Sequence, residues 1–211
     1  MPSIVMVIGP VGSGKSTAAE DSAVLLSTHG RASTAISSGW LYRLFAYLAQ
    51  GGKISWEDDQ CTGLIATLTV MSIMVSPQRV INVDGYEIPV EHIKTEEISV
   101  LASKIAQYPA VRELCQDKLN EILATYDGEF VFIDGRDPDG DIYSLTVHKM
   151  VYLDVSDEVA SKRTGETVEE VRARNQRDRV RLNRAKATAE LYIDTNKLTP
   201  QEVATRIHAT M

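Results

Sequence analysis

The sequence predicts a three-layer α/β fold in which a parallel β-sheet is flanked by helices and carries a small antiparallel insertion. Short apolar runs that suit strands alternate with helix-like segments along the chain, an order typical of parallel sheets covered by helices. The clearest unit is Ser3–Ile8, an apolar run followed by a glycine-rich turn and a helix-like segment. The insertion is predicted by a change of composition between residues 67 and 90.

The first half of the chain begins with the strand Ser3–Ile8, which is apolar on both faces, as expected of a strand buried between helices. A helix is predicted to follow over residues 15–26, and a short second strand at Thr34–Ile36. The next helix, over residues 38–50, begins with a serine, which is a preferred capping residue. A further helix is predicted at Trp56–Ile65.

The stretch from Thr67 to Val90 differs because it is rich in β-branched residues and contains a tight-turn dipeptide. Thr67–Val75 and Arg79–Val83 fit strands, and Asp84-Gly85 favours the two-residue turn of a hairpin. We therefore predict that the antiparallel insertion lies here.

Helices and strands alternate again in the second half of the chain. Two T-x-x-E sequences, Thr167–Glu170 and Thr199–Glu202, have the form of capping boxes, and each should open a helix. The other predicted elements are helices at about 95–106 and at Pro109–Thr125, where proline suits the first helical position, and core strands at Phe130–Ile133, Met150–Leu153 and Tyr192–Asp194.

The composition is that of a globular protein, with 44% hydrophobic and 24% charged residues among 211. The net charge of −7 disfavours general binding to nucleic acids or membrane surfaces. No signal peptide is predicted, and the most apolar stretch, LIATLTVMSIMV, is too short to span a bilayer. Cys61 and Cys115 lack metal-ligand spacing and fit buried thiols of a reducing compartment. We expect a cytoplasmic monomer that binds small molecules and neither nucleic acid nor membrane.

Residues 9–17, GPVGSGKST, fit the pattern G-x-x-x-x-G-K-[ST] in its required context between a strand and a helix. Glycines let successive backbone N–H groups turn toward phosphate oxygens, and the following helix adds its positive N-terminal end. Lys15 can reach the β- and γ-phosphates, the Ser16 hydroxyl can bind Mg²⁺, and Thr17 suits the helix start near the α-phosphate. The predicted ATP-binding residues are Gly9, Pro10, Val11, Gly12, Ser13, Gly14, Lys15, Ser16 and Thr17.

Six arginines are concentrated in residues 172–184, RARNQRDRVRLNR, although the whole chain is acidic. At about 100° per residue in one helix, four of them and one aspartate fall within about 120° of one face. Like charges on one face repel unless an anion joins them, which favours a phosphate clamp. A solvated helix face and a nucleic-acid contact are the alternatives, although the stretch lacks aromatic residues for base stacking. The clustered residues are Arg174, Arg177, Asp178, Arg181 and Arg184, whereas Arg172 and Arg179 lie opposite.

Two short sequences fit guanine-nucleotide motifs and raise the alternative of a GTPase. Asp137–Gly140 fits D-x-x-G, and Asn196–Thr199 fits N-K-x-D except at its last position. There Thr199 replaces the carboxylate that would accept both guanine N–H donors, and it is better explained as a helix cap. These two short matches are therefore weak evidence for a GTPase, and a kinase remains the favoured prediction.

Several further motifs follow one another along the chain. They are Ser37–Arg43 (SSGWLYR), Ile93–Ile98 (IKTEEI), Ala102–Ala106 (ASKIA), Pro109–Glu113 (PAVRE), Ile133–Asp137 (IDGRD) and Arg174–Arg181 (RNQRDRVR). In order and spacing, over nearly the whole chain, they resemble the bacterial cytidylate kinases. The resemblance implies a single P-loop kinase domain over residues 1–211 with strand order 2-3-1-4-5. It also implies a monophosphate-binding insertion at about 64–92 and a short lid with the arginine helix at about 164–184.

The resemblance implies which residues hold the phosphate and sugar of the acceptor. Arg43, Arg136 and Arg181 would bind the 5′-phosphate, and Arg174 and Asp178 would reach the ribose hydroxyls. Lys15, Mg²⁺ and the lid arginines would then offset charge on the transferred phosphoryl group. The implied catalytic residues are Lys15, Arg136, Arg174, Arg177 and Arg181.

The resemblance also implies a pocket for the base. Ser103, Arg112 and Asp137 would recognise the cytosine edge, with Ser38 in the same pocket. A carboxylate beside an arginine suits the amino donor and ring acceptors of cytosine. Asp134, at the end of a buried strand, fits either a turn or an indirect role in Mg²⁺ binding.

The implied reaction is ATP + CMP (or dCMP) → ADP + CDP (or dCDP), but the chain departs from the pattern of the family. Ser37 stands where the family usually has Asp, Pro138–Asp141 stands where it usually has an apolar residue, Gly and Thr, and the lid is shorter. These departures leave two alternatives open. One is a kinase for UMP, a deoxynucleotide or a non-nucleotide acceptor, and the other is a catalytically weak nucleotide-binding regulator.

Overall fold

The structure, a computed structural model, describes residues 2–50, 61–75, 80–135 and 147–211, with the backbone alone at Ser38 and Val75. Its strands are β1 (Ser3–Ile8), β2 (Ser33–Ser37), β3 (Ile73–Val75), β4 (Val80–Val83), β5 (Tyr86–Pro89), β6 (Phe130–Gly135), β7 (Val147–Asp154) and β8 (Leu191–Asp194). Its helices are α1 (Lys15–Thr28), α2 (Ser38–Gln50), α3 (Thr62–Val70), α4 (Glu96–Ile105), α5 (Pro109–Thr125), α6 (Asp157–Thr164), α7 (Val168–Arg177), α8 (Arg179–Thr188) and α9 (Pro200–His208), and a 3-10 helix spans Val90–Ile93.

The chain forms two compact units, and the first comprises residues 1–36 and 127–211. Its five-stranded sheet has the order β2-β6-β1-β7-β8, in which β1 is parallel to β6 and β7, and β7 is parallel to β8. β1 can lie at the centre because it is apolar on both faces, and α1 and α9 share one core with Val5 and Val7. When the five strands of this sheet are numbered in chain order, β6, β7 and β8 are its third, fourth and fifth strands. The predicted parallel sheet and its strand order 2-3-1-4-5 are therefore confirmed.

The second unit, residues 37–126, contains α2 to α5 and a separate antiparallel sheet of order β3-β4-β5. Asp84 and Gly85 join β4 to β5 with φ values of 49° and 88°. Two successive positive φ values define the tight hairpin turn that this dipeptide favours. The antiparallel insertion and its turn are therefore confirmed.

The strand predicted at Thr67–Val75 is wrong over its first half, because α3 extends to Val70 and only Ile73–Val75 is a strand. The hydroxyl of Thr67 donates to the carbonyl four residues earlier, and Thr69 does the same, so both β-branched residues fit the helix. Leu64 and Leu68, one turn apart, are fully buried and supply the apolar face. Part of the predicted helix Trp56–Ile65, residues 56–60, lies outside the described residues.

Helix α6 was not predicted, although its ends carry ordinary helix signals. Ser156 caps it by accepting a hydrogen bond from the Val159 N–H, acidic residues fill its first turn, and Gly165 ends it with φ of 75°. Apolar periodicity is weak here because Ala160 is the buried residue of this helix. A search that relies on apolar spacing therefore passes over it.

The single arginine helix of the prediction is wrong, because it is divided into α7 and α8 at Asp178. Asp178 has φ −96° and ψ 5°, outside the helical range. The prediction that the clustered arginines share one face assumed one continuous helix. It therefore holds only among the arginines of α7 or among those of α8, not between the two helices. Both predicted capping boxes, at Thr167 and Thr199, are confirmed.

Cys61 and Cys115 are free and buried, as predicted. Burial raises the pKa of the Cys115 thiol, and a hydrogen bond with Tyr42 opposes this only in part. In the part of the chain that the structure describes, no helix combines the length and apolar character needed to cross a membrane.

Candidate active site

The phosphate loop joins β1 to α1, and local sterics explain its glycines. A Cβ on Gly9 would lie 2.2 Å from the carbonyl oxygen of Leu153, and a Cβ on Gly12 would lie 2.7 Å from the Cα of Ala160 on α6. Gly12 and Gly14 also have φ values of 72° and 85°, which L side chains rarely adopt. The loop can therefore pass this close to β7 and α6 only with glycine at these positions.

Lys15 is the first residue of α1, and its side chain turns back over the loop. Its Nζ donates a 2.7 Å hydrogen bond to the carbonyl oxygen of Pro10. The ammonium group is thus held at the loop by the loop's own backbone. This is where the sequence pattern requires a cation for bound phosphates.

Ser16 and Asp134 form a contact between the loop and the sheet. The hydroxyl of Ser16 donates a 2.7 Å hydrogen bond to Oδ2 of Asp134. Asp134 is 7% exposed and pairs with Val7 across the β1–β6 register, so the register brings its carboxylate to the start of α1. Hydroxyl and carboxylate oxygens are the donors that Mg²⁺ prefers. Of the two roles predicted for Asp134, a turn residue or an indirect role in Mg²⁺ binding, this contact favours the second.

Arg163, in the last turn of α6, contacts the phosphate loop from outside. Its Nη1 donates to the carbonyl oxygen of Gly12 at 3.2 Å and to Oγ1 of Thr195 at 3.0 Å. Its Nη2 donates to the carbonyl oxygen of Thr195 at 2.6 Å. One guanidinium thus joins the loop to the segment after β8. Sequence reasoning missed Arg163 because it missed α6.

Two arginines of α7 are paired with carboxylates. Arg174 forms an ion pair with Glu166, and Nε of Arg172 lies 3.2 Å from Oδ2 of Asp157. Arg174 was predicted to contact substrate, so it would have to exchange Glu166 for the substrate. Arg172, placed on the far face by the sequence, has a partner on α6.

Arg177 and Arg181 differ from Arg174, because neither forms an ion pair with any residue in 2–50, 61–75, 80–135 or 147–211. Both side chains are exposed, Arg177 at the end of α7 and Arg181 in the first turn of α8. Unpaired, exposed guanidinium groups can bind an anion without first releasing a carboxylate.

The C-terminal end of helix α8 is attached to the sheet through Lys186. Asp154 Oδ2 accepts hydrogen bonds from Lys186 at 2.7 Å and from the hydroxyl of Tyr192 at 2.6 Å. The rings of Tyr152 and Tyr192 stack at 6.0 Å, and Nζ of Lys186 lies 5.1 Å from the Tyr192 ring. Burial acts to raise the pKa of Asp154, but the bonds from Lys186 and Tyr192 outweigh it and lower that pKa. The bond to Asp154 raises the pKa of Lys186.

Three of the residues predicted to bind the acceptor lie, with their side chains described, in the second unit. Arg43 on α2 is half-buried, Arg112 on α5 is exposed, and the Ser103 hydroxyl donates to a carbonyl one turn earlier on α4. Their roles stay predictions. Three further predicted positions lie outside what the structure describes: the side chain of Ser38, Arg136 and Asp137.

The residues that suggested a guanine motif have structural partners. The Thr199 hydroxyl accepts a 3.3 Å hydrogen bond from the N–H of Glu202, whose carboxylate accepts from the N–H of Thr199 at 2.7 Å. Asn196 accepts from the N–H of Ser156 at 2.9 Å. Thr199 is therefore a helix cap, as predicted. The other sequence that fits a guanine-nucleotide motif, Asp137–Gly140, lies outside the described residues.

Comparison with known proteins gives one consistent result. A family model described as cytidylate kinase matches residues 5–211. A cytidylate kinase of Caldanaerobacter subterraneus subsp. tengcongensis is 29% identical over 218 residues, which cover 97% of this chain and 92% of that protein. A cytidylate kinase of Thermus thermophilus is 29% identical over 214 residues, with 96% and 95% covered. Among solved structures, TT1252 from Thermus thermophilus has a similar fold, with a TM-score of 0.52 at 18% identity over 99% of this chain and 96% of that chain. With its phosphate loop and its five-stranded sheet, the chain belongs to the cytidylate kinase family.

Proposed function

We propose that this nucleoside monophosphate kinase transfers the γ-phosphoryl group of ATP to CMP or dCMP and releases CDP or dCDP. The family sets the class of reaction. The observation that carries the proposal for the donor is the hydrogen bond from Ser16, which follows Lys15 in the chain, to the buried Asp134. It supports a phosphate loop equipped for a nucleotide with its metal ion.

The donor phosphates fit the loop of residues 9–17. The N-terminal end of α1 and the charge of Lys15 favour the β- and γ-phosphates. Lys15 would exchange the carbonyl of Pro10 for phosphate oxygens. The hydroxyl of Ser16 would bind Mg²⁺ and Asp134 would act indirectly by accepting the hydrogen bond of that hydroxyl, and the ion would offset negative charge on the β- and γ-phosphates.

The acceptor phosphate is itself anionic near neutral pH, so its attack needs no strong general base. The protein then contributes positioning and charge stabilisation. We assign charge stabilisation to Arg177 and Arg181, which form no ion pair with the described residues, and to Arg136 by resemblance. Arg174 joins them once it leaves Glu166.

The remaining assignments follow the resemblance to the family. Residues 64–92, which include the sheet β3-β4-β5, would form the monophosphate-binding insertion of a single kinase domain. Residues 164–184, with α7 and α8, would form the lid and close over the nucleotides to exclude water. A cytoplasmic monomer remains part of the proposal, and two free, buried cysteines fit a reducing compartment.

The experiment is an ADP-release screen of the purified protein with ATP and Mg²⁺ against every common nucleoside monophosphate. Release that depends on CMP or dCMP is the expected result. Stronger release with another acceptor would replace the cytosine assignment. Nucleotide binding without release for any acceptor would indicate the regulator, and GTP hydrolysis without an acceptor would indicate a GTPase.

A further inference from the structure

Asn175 links the arginine-bearing helix α7 to the phosphate loop. Its Oδ1 accepts a 2.9 Å hydrogen bond from the N–H of Val11, and its Nδ2 donates to Oδ1 of Asp157 at 3.4 Å. The other oxygen of Asp157 lies 3.2 Å from Nε of Arg172. A continuous set of polar contacts therefore connects the loop, α6 and α7.

The orientation of the Asn175 amide is fixed by these two neighbours. A backbone N–H can only donate and an ionised carboxylate can only accept, so a flipped amide would lose both hydrogen bonds. Val11 is 6% exposed and Asn175 is half-buried. Water has little access to the buried Val11, so the loss of the hydrogen bond from its N–H to Asn175 is costly.

The same helix carries two of the arginines assigned to phosphoryl transfer. Arg174 directly precedes Asn175, and Arg177 follows two residues later. Residues within one helix keep a constant relation, with a rise of about 1.5 Å and a rotation of about 100° each. A shift of α7 relative to Val11 would therefore move both guanidinium groups relative to the loop.

We propose that Asn175 is a positioning residue that sets the register of the α7 arginines against the phosphate loop during phosphoryl transfer. It acts through the backbone of the loop and through the helix, not by contact with the reacting atoms. The inference rests on the proposed function, since register affects turnover only if a phosphoryl group is transferred.

The test exchanges the amide and the carboxylate. Asn175→Asp places a second carboxylate beside Asp157, and Asn175→Ala removes both hydrogen bonds. The double variant Asp157→Asn/Asn175→Asp restores one donor and one acceptor between these side chains and still offers oxygens to the Val11 N–H and to Arg172. We expect each single Asn175 variant to lower kcat by about tenfold to a hundredfold while KM for ATP changes less than about threefold, and the double variant to recover most of kcat.

The matched control is Gln176→Ala, because Gln176 is the exposed neighbour of Asn175 on α7. Its kcat is expected to stay close to that of the wild type. A kcat for Asn175→Ala equal to that of the control would overturn the proposal. So would a double variant with no more activity than Asn175→Asp.

Hydrogen–deuterium exchange of the Val11 amide gives a readout that does not depend on turnover. In Asn175→Ala this amide should exchange faster while the amides of β1 keep their protection, which separates loss of the contact from unfolding. Unchanged exchange at Val11 would refute the link itself. A wild-type protein that phosphorylates no nucleoside monophosphate would instead refute the proposed function, whatever the Val11 amide does.

Discussion

At the scale of single residues, the phosphate loop is shaped by side chains that hold its carbonyl groups. Arg163 binds the carbonyl oxygen of Gly12. Because the C=O and N–H of one planar trans peptide point in opposite directions, this contact turns the N–H of Ser13 inward, where it donates to Pro10 at 3.3 Å. The direction of an N–H group in the loop thus depends on Arg163, a residue outside the loop motif.

Asp134→Asn tests the metal-binding role of the buried carboxylate. The variant keeps an acceptor for Ser16 but removes the negative charge, so we expect kcat to fall by about two orders of magnitude and the Mg²⁺ requirement to rise. A Mg²⁺ titration of ADP release measures both effects, with Asp117→Asn on the exposed side of α5 as control. An unchanged Mg²⁺ requirement would contradict the role of Asp134.

Arg181→Ala tests the arginine clamp. Removal of a guanidinium that stabilises the transferred group should lower kcat by about three orders of magnitude. Arg179→Ala is the matched control, since Arg179 is an exposed arginine of the same helical turn that lies outside the predicted cluster. Coupled-assay turnover of Arg181→Ala at the level of Arg179→Ala would exclude the clamp.

At the scale of elements, the break at Asp178 divides the arginines between two helices with separate attachments. Helix α7 is attached through Arg172 to Asp157, and α8 through Lys186 to Asp154. Arg177 and Arg181 lie on either side of the break, away from these ion pairs. The proposed clamp would therefore take its arginines from two elements, and each attachment can be removed without the other.

Lys186→Met tests the attachment of α8. The loss of this partly exposed ion pair should lower the free energy of unfolding by about 0.5–1 kcal/mol at neutral pH. Urea denaturation of the variant, compared with Lys104→Met on the exposed side of α4, measures the change. Equal stabilities of the two variants would show that the ion pair contributes nothing.

The pKa shifts also predict how this contribution depends on pH. The pKa of Asp154 is lowered, so its stabilisation is present above the ordinary carboxylate pKa and is lost as pH falls through the lowered value. The pKa of Lys186 is raised, so its stabilisation is present below the ordinary lysine pKa and is lost as pH rises through the raised value. The difference in unfolding free energy between wild type and Lys186→Met should therefore be largest near neutral pH. A difference that grows toward either extreme would contradict the assigned contacts.

At the scale of the whole molecule, each ligand should protect its own set of amides. We expect ATP with Mg²⁺ to slow hydrogen exchange at residues 9–17 in the first unit. CMP should slow exchange near Arg43, Ser103 and Arg112 in the second unit, if these residues read the acceptor. Hydrogen-exchange mass spectrometry measures both, with UMP as the control ligand. Protection by CMP that omits the second unit would refute the roles assigned to Arg43, Ser103 and Arg112.

The sequence predicted those parts of the fold in which local and tertiary preferences agree. Ser3–Ile8 and its phosphate loop are such a case, because an apolar run, a glycine motif and a helix start point to one structure. Residues 67–70 are the opposite case, since the burial of α3 overrides their β-branched preference. The contacts of Arg163 and Asn175 could not be predicted, because both bind backbone groups more than a hundred residues away.

The close approach of Gly12 to Ala160 has a consequence for how mutations are tolerated. Ala160 belongs to no motif, yet it is fully buried with its Cα and Cβ both 2.7 Å from where a side chain on Gly12 would begin. Any larger residue at 160 would push against the phosphate loop from behind. In a library selected for activity, position 160 should be nearly as intolerant of replacement as the motif glycine that it faces.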